Sequence, residues 1–185
     1  VYLHQVRATT GAFLPDEAYE AVRRVASGLA PNDMSYRACH YRGTTLTHRD
    51  WFAWDQRRAK LRLQWEAFFE DFDLLICPIA TTPAFPHNQK GERWERMLDV
   101  NGQLQESTDS MFWAGYPSVV GLPATAIPLG RDSQGLPFGA QIIAPAFADF
   151  TALRFAQWLE REWYSFQAPI LVASAGSTAD VCASP

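Results

Sequence analysis

Residues 121–145, GLPATAIPLGRDSQGLPFGAQIIAP, contain the tripeptide Gly-Leu-Pro twice, and each copy precedes an apolar run. The two runs, 124–129 and 138–143, are almost continuously apolar, which is typical of inner strands of a sheet that is covered on both faces. Between them, Gly130 and Gly135 can adopt the positive φ that a tight turn requires. The stretch therefore predicts two strands that are joined by a short turn and are each entered through a glycine and a proline.

A long amphipathic helix is predicted upstream of these strands. It begins after Thr47, which has Asp50 three residues later in the pattern of a capping box. From Trp51 onward one side of the helix is apolar except for an arginine, so we expect this side to face a core. The residues on it are Trp51, Trp54, Arg58, Leu61, Trp65, Phe68 and Phe72.

Shorter segments complete the prediction. We expect helices over 15–30, 107–117 and 149–164, the second capped by Ser107 or Thr108 and the third by Asp149. Pro117 should end the second helix, because the residue before a proline avoids the helical conformation. Leu153, Ala156, Leu159 and Trp163 should share one side of the third helix.

The remaining segments are assigned to one strand, two irregular regions and a tail. The apolar run 74–77 predicts a strand that is buried on both faces. Residues 31–45 are expected to form a loop, 87–106 a polar surface excursion, and 169–185 a disordered end. Strands that alternate with helices in this way predict an α/β fold, a mixed β-sheet covered by helices.

Composition limits the function classes. The net charge is -4, and the sequence has no cluster of Lys and Arg of the kind that binds the phosphates of nucleic acid. No apolar run approaches the ~20 residues that span a bilayer. Three widely separated cysteines favour a reducing, cytoplasmic compartment over a disulfide framework. The four histidines lack the spacing of a metal site, and no cofactor motif is present.

Two segments resemble amidase signature hydrolases. FEDFDLLICPIATTPAFP, residues 69–86, and FWAGYPSVVGLPATAIPLGRDSQGLPFGAQIIAPAFADFTALRFAQWLE, residues 112–160, are similar to passages from the second half of that fold. The resemblance extends over about residues 42–164. It implies the C-terminal part of an amidase signature domain over 1–168, and hydrolysis of carbon–nitrogen amide bonds in a small substrate.

The resemblance also implies a catalytic group of two serines and a lysine base, which the chain does not match. The sequence contains no Ser-Ser pair and no Gly-Gly pair, and its lysines, Lys60 and Lys90, do not match the family's catalytic lysine. We therefore assign no catalytic residue and expect the chain to be inactive alone. Its partner would be the N-terminal half of the same fold.

The segment before the first Gly-Leu-Pro is implied to line the substrate cavity. The candidate substrate-binding residues are Trp113, Tyr116 and Ser118, with Asp109 as a polar contact for a substrate amine. Ordinary packing is the alternative for the aromatic residues, and a carboxylate in the first helical turn is the alternative for Asp109.

Two wider alternatives stay open at this point. The chain could be a stand-alone, non-catalytic binding or scaffold module derived from the amidase fold. Its aromatic content of 14% suits a homodimer surface as well as a core.

Overall fold

The structure is a computed structural model and describes residues 1–168. This part of the chain contains six helices, a three-stranded sheet and a two-stranded sheet. The helices are α1 (Tyr2–Gly11), α2 (Asp16–Ser27), α3 (Tyr36–Thr44), α4 (His48–Asp71), α5 (Met111–Ser118) and α6 (Asp149–Glu162). The strands are β1 (Leu75–Pro78), β2 (Met97–Val100), β3 (Gln103–Glu106), β4 (Ala124–Arg131) and β5 (Pro137–Ile143). Single 3₁₀ turns occupy Arg93–Glu95 and Ser107–Ser110. The predicted disordered end, 169–185, lies outside the described residues.

The two strands predicted from the Gly-Leu-Pro stretch are confirmed and form a hairpin, but the prediction that both are inner strands is wrong for β4. Only β5 lies between two strands; β4 is at an edge of the sheet within residues 1–168, and half of its residues are exposed. β4 and β5 pair antiparallel with a bulge between Pro128 and Gly130, and β1 pairs antiparallel with the other edge of β5. Gly135 lies in the connecting turn with φ of 80°. The sheet order is thus β1-β5-β4, and every strand pair within residues 1–168 is antiparallel.

The core of the sheet lies where α6 packs on the hairpin. Ile142 and Ile143 are fully buried, and burying an isoleucine side chain stabilises a fold by about 1.5–3 kcal/mol. The cluster around Ile142 also contains Ile127, Ala140, Ala144 and Ala152, with Phe155, Ala156 and Leu159 packed against it.

The predicted common side of α6 is confirmed, because Leu153, Ala156, Leu159 and Trp163 line one cavity beside β4. Leu153 and Trp163 are nevertheless exposed, and Ala152 and Phe155 also pack in the core cluster. The cap prediction is wrong, because Ala148 is the N-cap and Asp149 is the first helical residue.

Helices α1 to α4 form a second layer, in which α1 packs against both α3 and α4. The prediction of a loop over 31–45 is wrong for α3, which begins after Ser35. The Ser35 side chain accepts a hydrogen bond from the Ala38 amide, so it caps the helix. At Gly43 a Cβ atom would lie 2.8 Å from Arg7 Cβ, so the absence of a side chain there lets α1 approach α3 closely.

The long helix α4 confirms the predicted start. Thr47 accepts a hydrogen bond from the Asp50 amide and donates one to the Asp50 carboxylate. The aromatic side of α4 is its less exposed side, but none of its residues is buried, and Phe72 is 55% exposed. The described part of the chain thus covers this side only partially.

β1 is less buried than the prediction of a strand covered on both faces. It lies at the edge of the sheet, with Cys77 buried and Ile76 49% exposed. Within residues 1–168 no further strand pairs with its outer edge, which explains why an apolar run typical of an inner strand is half exposed here.

The polar region 87–106 contains a hairpin that was not predicted. β2 and β3 pair antiparallel around Asn101 and Gly102, whose φ values are 55° and 81°. Two consecutive positive φ values are typical of the tightest hairpin turn, for which Asn-Gly is the preferred sequence.

The predicted start and end of helix α5 are both wrong. A 3₁₀ turn occupies Ser107–Ser110, and α5 begins at Met111 with no side-chain cap from Ser110. Pro117 lies inside the helix, which ends one residue later at Ser118.

A candidate wall of a substrate pocket

A cavity of about 690 Å³ lies between α1, α3, α4 and the segment that leads into α5. Its lining includes six aromatic or imidazole rings, several aliphatic side chains and two carboxylates. The side chains most relevant here are those of Tyr2, His4, Tyr36, Trp54, Glu106, Asp109, Met111, Phe112 and Tyr116. Such a concave, mostly apolar space with few polar groups is typical of a small-molecule site.

Two of the four predicted pocket residues line this cavity. Asp109, which is exposed, and Tyr116, which is 37% exposed, both contribute to its wall. Trp113 and Ser118 are not among its lining residues. A second cavity of about 750 Å³, along β1 and the segment 79–85, contains none of the four.

Trp113 and Ser118 are placed by contacts on the same helix. The Trp113 ring meets the Phe112 ring edge-on, with the centroids 5.2 Å apart. The Ser118 hydroxyl donates a 2.7 Å hydrogen bond to the Ala114 carbonyl and is exposed. A serine that bonds to the carbonyl four residues before it contributes mainly to its own helix.

Gln141 fixes the position of α5, although no sequence pattern gave it a role. Its Nε2 donates hydrogen bonds to the carbonyl oxygens of Pro78, at 3.0 Å, and of Trp113, at 2.9 Å. Its side chain is buried, so these bonds form away from water. One amide on the central strand thus holds the end of β1 and the middle of α5, and with it the wall that carries Tyr116.

The opposite wall is formed by α1 and α4. The His4 ring stacks on the Trp54 ring with the centroids 4.0 Å apart, and burial lowers the pKa of His4 to about 4. Trp65 does not line this cavity, but it packs edge-on against Tyr116 with the ring centroids 5.0 Å apart. The regular aromatic spacing of α4 signalled Trp54 and Trp65, whereas nothing in the sequence connected His4 with this cavity.

The described residues hold no group that matches metal or thiol chemistry. Within 1–168 there is no cluster of three residues that could ligate a metal. Cys39 and Cys77 are buried and free, and burial raises the pKa of each thiol. Lys60 and Lys90 are both exposed. No helix in this part of the chain combines the length and the apolarity that crossing a membrane requires.

His40 should make stability depend on pH. Its pKa is lowered from 6.5 to about 4, first by burial and then by the charges of Arg7 and Arg93. The folded state therefore disfavours the imidazolium, so this contribution to stability is complete above about pH 6.5 and is lost as the pH falls toward 4. The His40→Phe variant keeps an aromatic ring between Tyr41 and Trp94. Between pH 6.5 and pH 4 we expect its free energy of unfolding to fall less than that of the wild type.

Urea unfolding of both proteins from pH 7 to pH 4 measures the difference. His4 titrates in the same direction and is retained in both, so only the contribution of His40 changes. Parallel pH profiles for the two proteins would contradict the assignment.

Comparison with known proteins agrees with this architecture. A crystal structure of an amidase superposes with a TM-score of 0.57 at 23% identity, covering 78% of this chain and 31% of that one. A bacterial aryl acylamidase of the amidase signature family superposes with a TM-score of 0.59 at 18% identity, covering 86% of this chain and 32% of that one. At these identities the superpositions show a shared fold, an α/β fold as predicted.

Sequence relatives indicate the same class. The Amidase family model matches residues 32–153. A glutamyl-tRNA(Gln) amidotransferase subunit of Leptospira interrogans is 28% identical over 130 residues, which are 70% of this chain and 23% of that protein. The corresponding subunit of Helicobacter pylori strain P12 is 32% identical over 107 residues, which are 58% of this chain and 21% of that protein.

The chain belongs to the amidase family, as the family match over most of its described residues shows. It spans about a fifth of the length of the curated relatives it matches.

Proposed function

We propose that residues 1–168 form the C-terminal part of an amidase-family hydrolase that acts on carbon–nitrogen amide bonds, and that this part supplies scaffold and one wall of the substrate pocket. The observation that carries the proposal is a family match over 32–153 in a chain that has no Ser-Ser pair. The nucleophile and its base would then belong to the N-terminal half of the same fold.

The unpaired apolar surfaces support this division. β1 has no neighbour on its outer edge within residues 1–168, and Ile76 and Phe72 are about half exposed. Monomeric proteins seldom leave an apolar sheet edge open, because it pairs readily with other chains. A second half of the fold, in the same polypeptide or supplied by another chain, would cover these surfaces. A homodimer that pairs two β1 strands antiparallel, about a two-fold axis perpendicular to the sheet, is the alternative way to cover this edge.

The pocket wall in this proposal is the cavity beside α5. Tyr116 would contact the body of a small amide substrate, and Asp109 a polar group such as an amine. Trp113 would position α5 by packing within it. Ser118 would contact the substrate from the exposed C-terminal end of the same helix. Free, buried Cys39 and Cys77 support a reducing, cytoplasmic compartment.

Turnover assays on the purified 185-residue chain test the proposal. We expect no release of ammonia or amine above the uncatalysed rate from a panel of aliphatic, aromatic and amino-acid amides. The reason is that a serine hydroxyl is a weak nucleophile without an adjacent base and an oxyanion hole. Turnover that follows the protein through purification would contradict inactivity of the isolated chain.

The alternative of a stand-alone module predicts a different solution behaviour. A module that has adapted to existence without the second half should unfold cooperatively and elute as a single defined species. A part that lacks its other half should bind a dye for exposed apolar surface and associate with increasing concentration. Gel filtration and a thermal melt of the same sample therefore separate the two functions.

A further inference from the structure

Two arginines from distant parts of the chain meet at one tyrosine hydroxyl. Arg7 on α1 donates a 2.7 Å hydrogen bond to the Tyr36 hydroxyl oxygen, and Arg93 donates a 3.4 Å bond to the same atom. The hydroxyl in turn donates a 3.8 Å hydrogen bond to Met111 Sδ on α5, and Met111 lines the 690 Å³ cavity together with Tyr36. Two guanidinium groups are thus brought together beside an apolar space.

Neither arginine of this pair has a carboxylate partner among residues 1–168. The ion pairs of this part of the chain are Arg23 with Glu20 and Arg58 with Asp55. Arg7 Nε is buried and has no hydrogen-bond partner among the described residues. A buried donor on a charged group is normally satisfied, because an unsatisfied one is costly to desolvate.

A second unpartnered polar atom lies close to the arginines. His40 Nδ1 is buried and also lacks a hydrogen-bond partner among the described residues. The carboxylates that line the neighbouring cavity are Glu106 and Asp109, and Glu106 accepts a hydrogen bond from the Thr108 hydroxyl. Within residues 1–168, neither carboxylate forms an ion pair with the two arginines.

His40 lies within the electrostatic field of the same two arginines. After burial, the charges of Arg7 and Arg93 are the causes that lower its pKa. Both guanidinium groups are therefore close enough to His40 to disfavour a further positive charge.

We propose that Arg7 and Arg93, which the Tyr36 hydroxyl holds together, form a binding site for a small oxyanion, a carboxylate or a phosphate. Guanidinium groups bind such oxyanions through charge-assisted, often bidentate hydrogen bonds. The anion would neutralise the arginine pair and satisfy Arg7 Nε, and an apolar group attached to it would extend into the aromatic cavity. This goes beyond the proposed function, because it assigns a ligand charge and does not depend on the catalytic group.

Three small probes test the site in the full 185-residue chain by calorimetric titration. Phenylacetate supplies a carboxylate with an aromatic body, phenylacetamide is its neutral analogue, and inorganic phosphate is an oxyanion without an apolar body. We expect phenylacetate to bind with a Kd of about 1 mM and phenylacetamide at least about tenfold more weakly. Binding of phosphate but not phenylacetate would identify phosphate as the oxyanion, whereas binding of neither would overturn the proposal.

Variants attribute the binding to these residues. Arg7→Gln and Arg93→Gln should each weaken the bound oxyanion about tenfold, and Tyr36→Phe should weaken it less. Because Arg93 is exposed, we expect Arg93→Gln to fold like the wild type. This variant therefore tests the site even if Arg7→Gln fails to fold. Arg154→Gln, at an exposed position on α6, is the matched control and should bind like the wild type. Wild-type affinity in Arg93→Gln would overturn the proposed site.

Discussion

Gly139→Ala is expected to lower the free energy of unfolding by about 3 kcal/mol, since overpacking a close backbone contact typically costs about 1–3 kcal/mol and occasionally more. Gly139 lies on β5 opposite Pro128, beside the bulge of β4. A Cβ atom at this position would collide with the carbonyl oxygen of Ile127, which is a backbone atom and cannot rotate away. The central strand pair would have to separate locally, close to buried Ile142.

Urea denaturation followed by circular dichroism measures this loss. Gly28→Ala is the matched control, because a Cβ atom there would lie 3.6 Å from the nearest carbonyl oxygen and its φ of -87° suits alanine. The control should stay within about 0.5 kcal/mol of the wild type. A Gly139→Ala protein as stable as the control would show that β4 and β5 do not pack as described.

Gln141→Leu is expected to destabilise the fold by about 2–4 kcal/mol, because it leaves two carbonyl oxygens without their donor. The oxygens belong to Pro78 at the end of β1 and Trp113 on α5. Leucine fills a similar volume, so the loss reports hydrogen bonding more than packing. With the tie removed, we expect the amides of 111–118 to exchange hydrogen faster.

Unfolding free energies and hydrogen exchange by mass spectrometry together test the role of Gln141. Gln56→Leu, at an exposed position of α4, is the matched control and should change the unfolding free energy by less than about 0.5 kcal/mol. Unchanged exchange in α5 of Gln141→Leu would mean that other contacts hold this helix.

The elements that the sequence predicted correctly are those that local chemistry determines. The β4–β5 hairpin follows from two apolar runs with a polar turn between them, and α4 follows from its cap at Thr47 and its regular aromatic spacing. Each of these signals lies within the element that it predicts. The α/β class could therefore be predicted before any tertiary contact was known.

The structural features that the sequence did not predict are the β2–β3 hairpin, helix α3 and the exposure of β1, and their local sequence signals are weaker. β2 and β3 surround an Asn-Gly turn, which is a local hairpin signal within the otherwise polar segment 87–106. Helix α3 is short, and its stability comes from packing on α1 through Gly43, which no local pattern reveals. The half exposure of β1 likewise depends on which strands are present beside it.

The candidate site could be predicted only on its α5 side. The family resemblance implies Asp109 and Tyr116, which line the cavity, and equally Trp113 and Ser118, which do not. Its other wall comes from residues near the start of the chain, such as His4 and Tyr36. Their approach to α5 is a long-range contact, and no spacing in the sequence encodes it.

Covalent labelling with a fluorophosphonate, read by intact-mass spectrometry of the isolated chain, tests the central claim most directly. A reactive serine that is activated by a base forms a stable adduct with this reagent. We expect the chain to keep its unmodified mass under conditions in which an active amidase is fully labelled. A single adduct that maps to one serine and disappears on unfolding would contradict the claim, because the chain would then hold an activated nucleophile of its own.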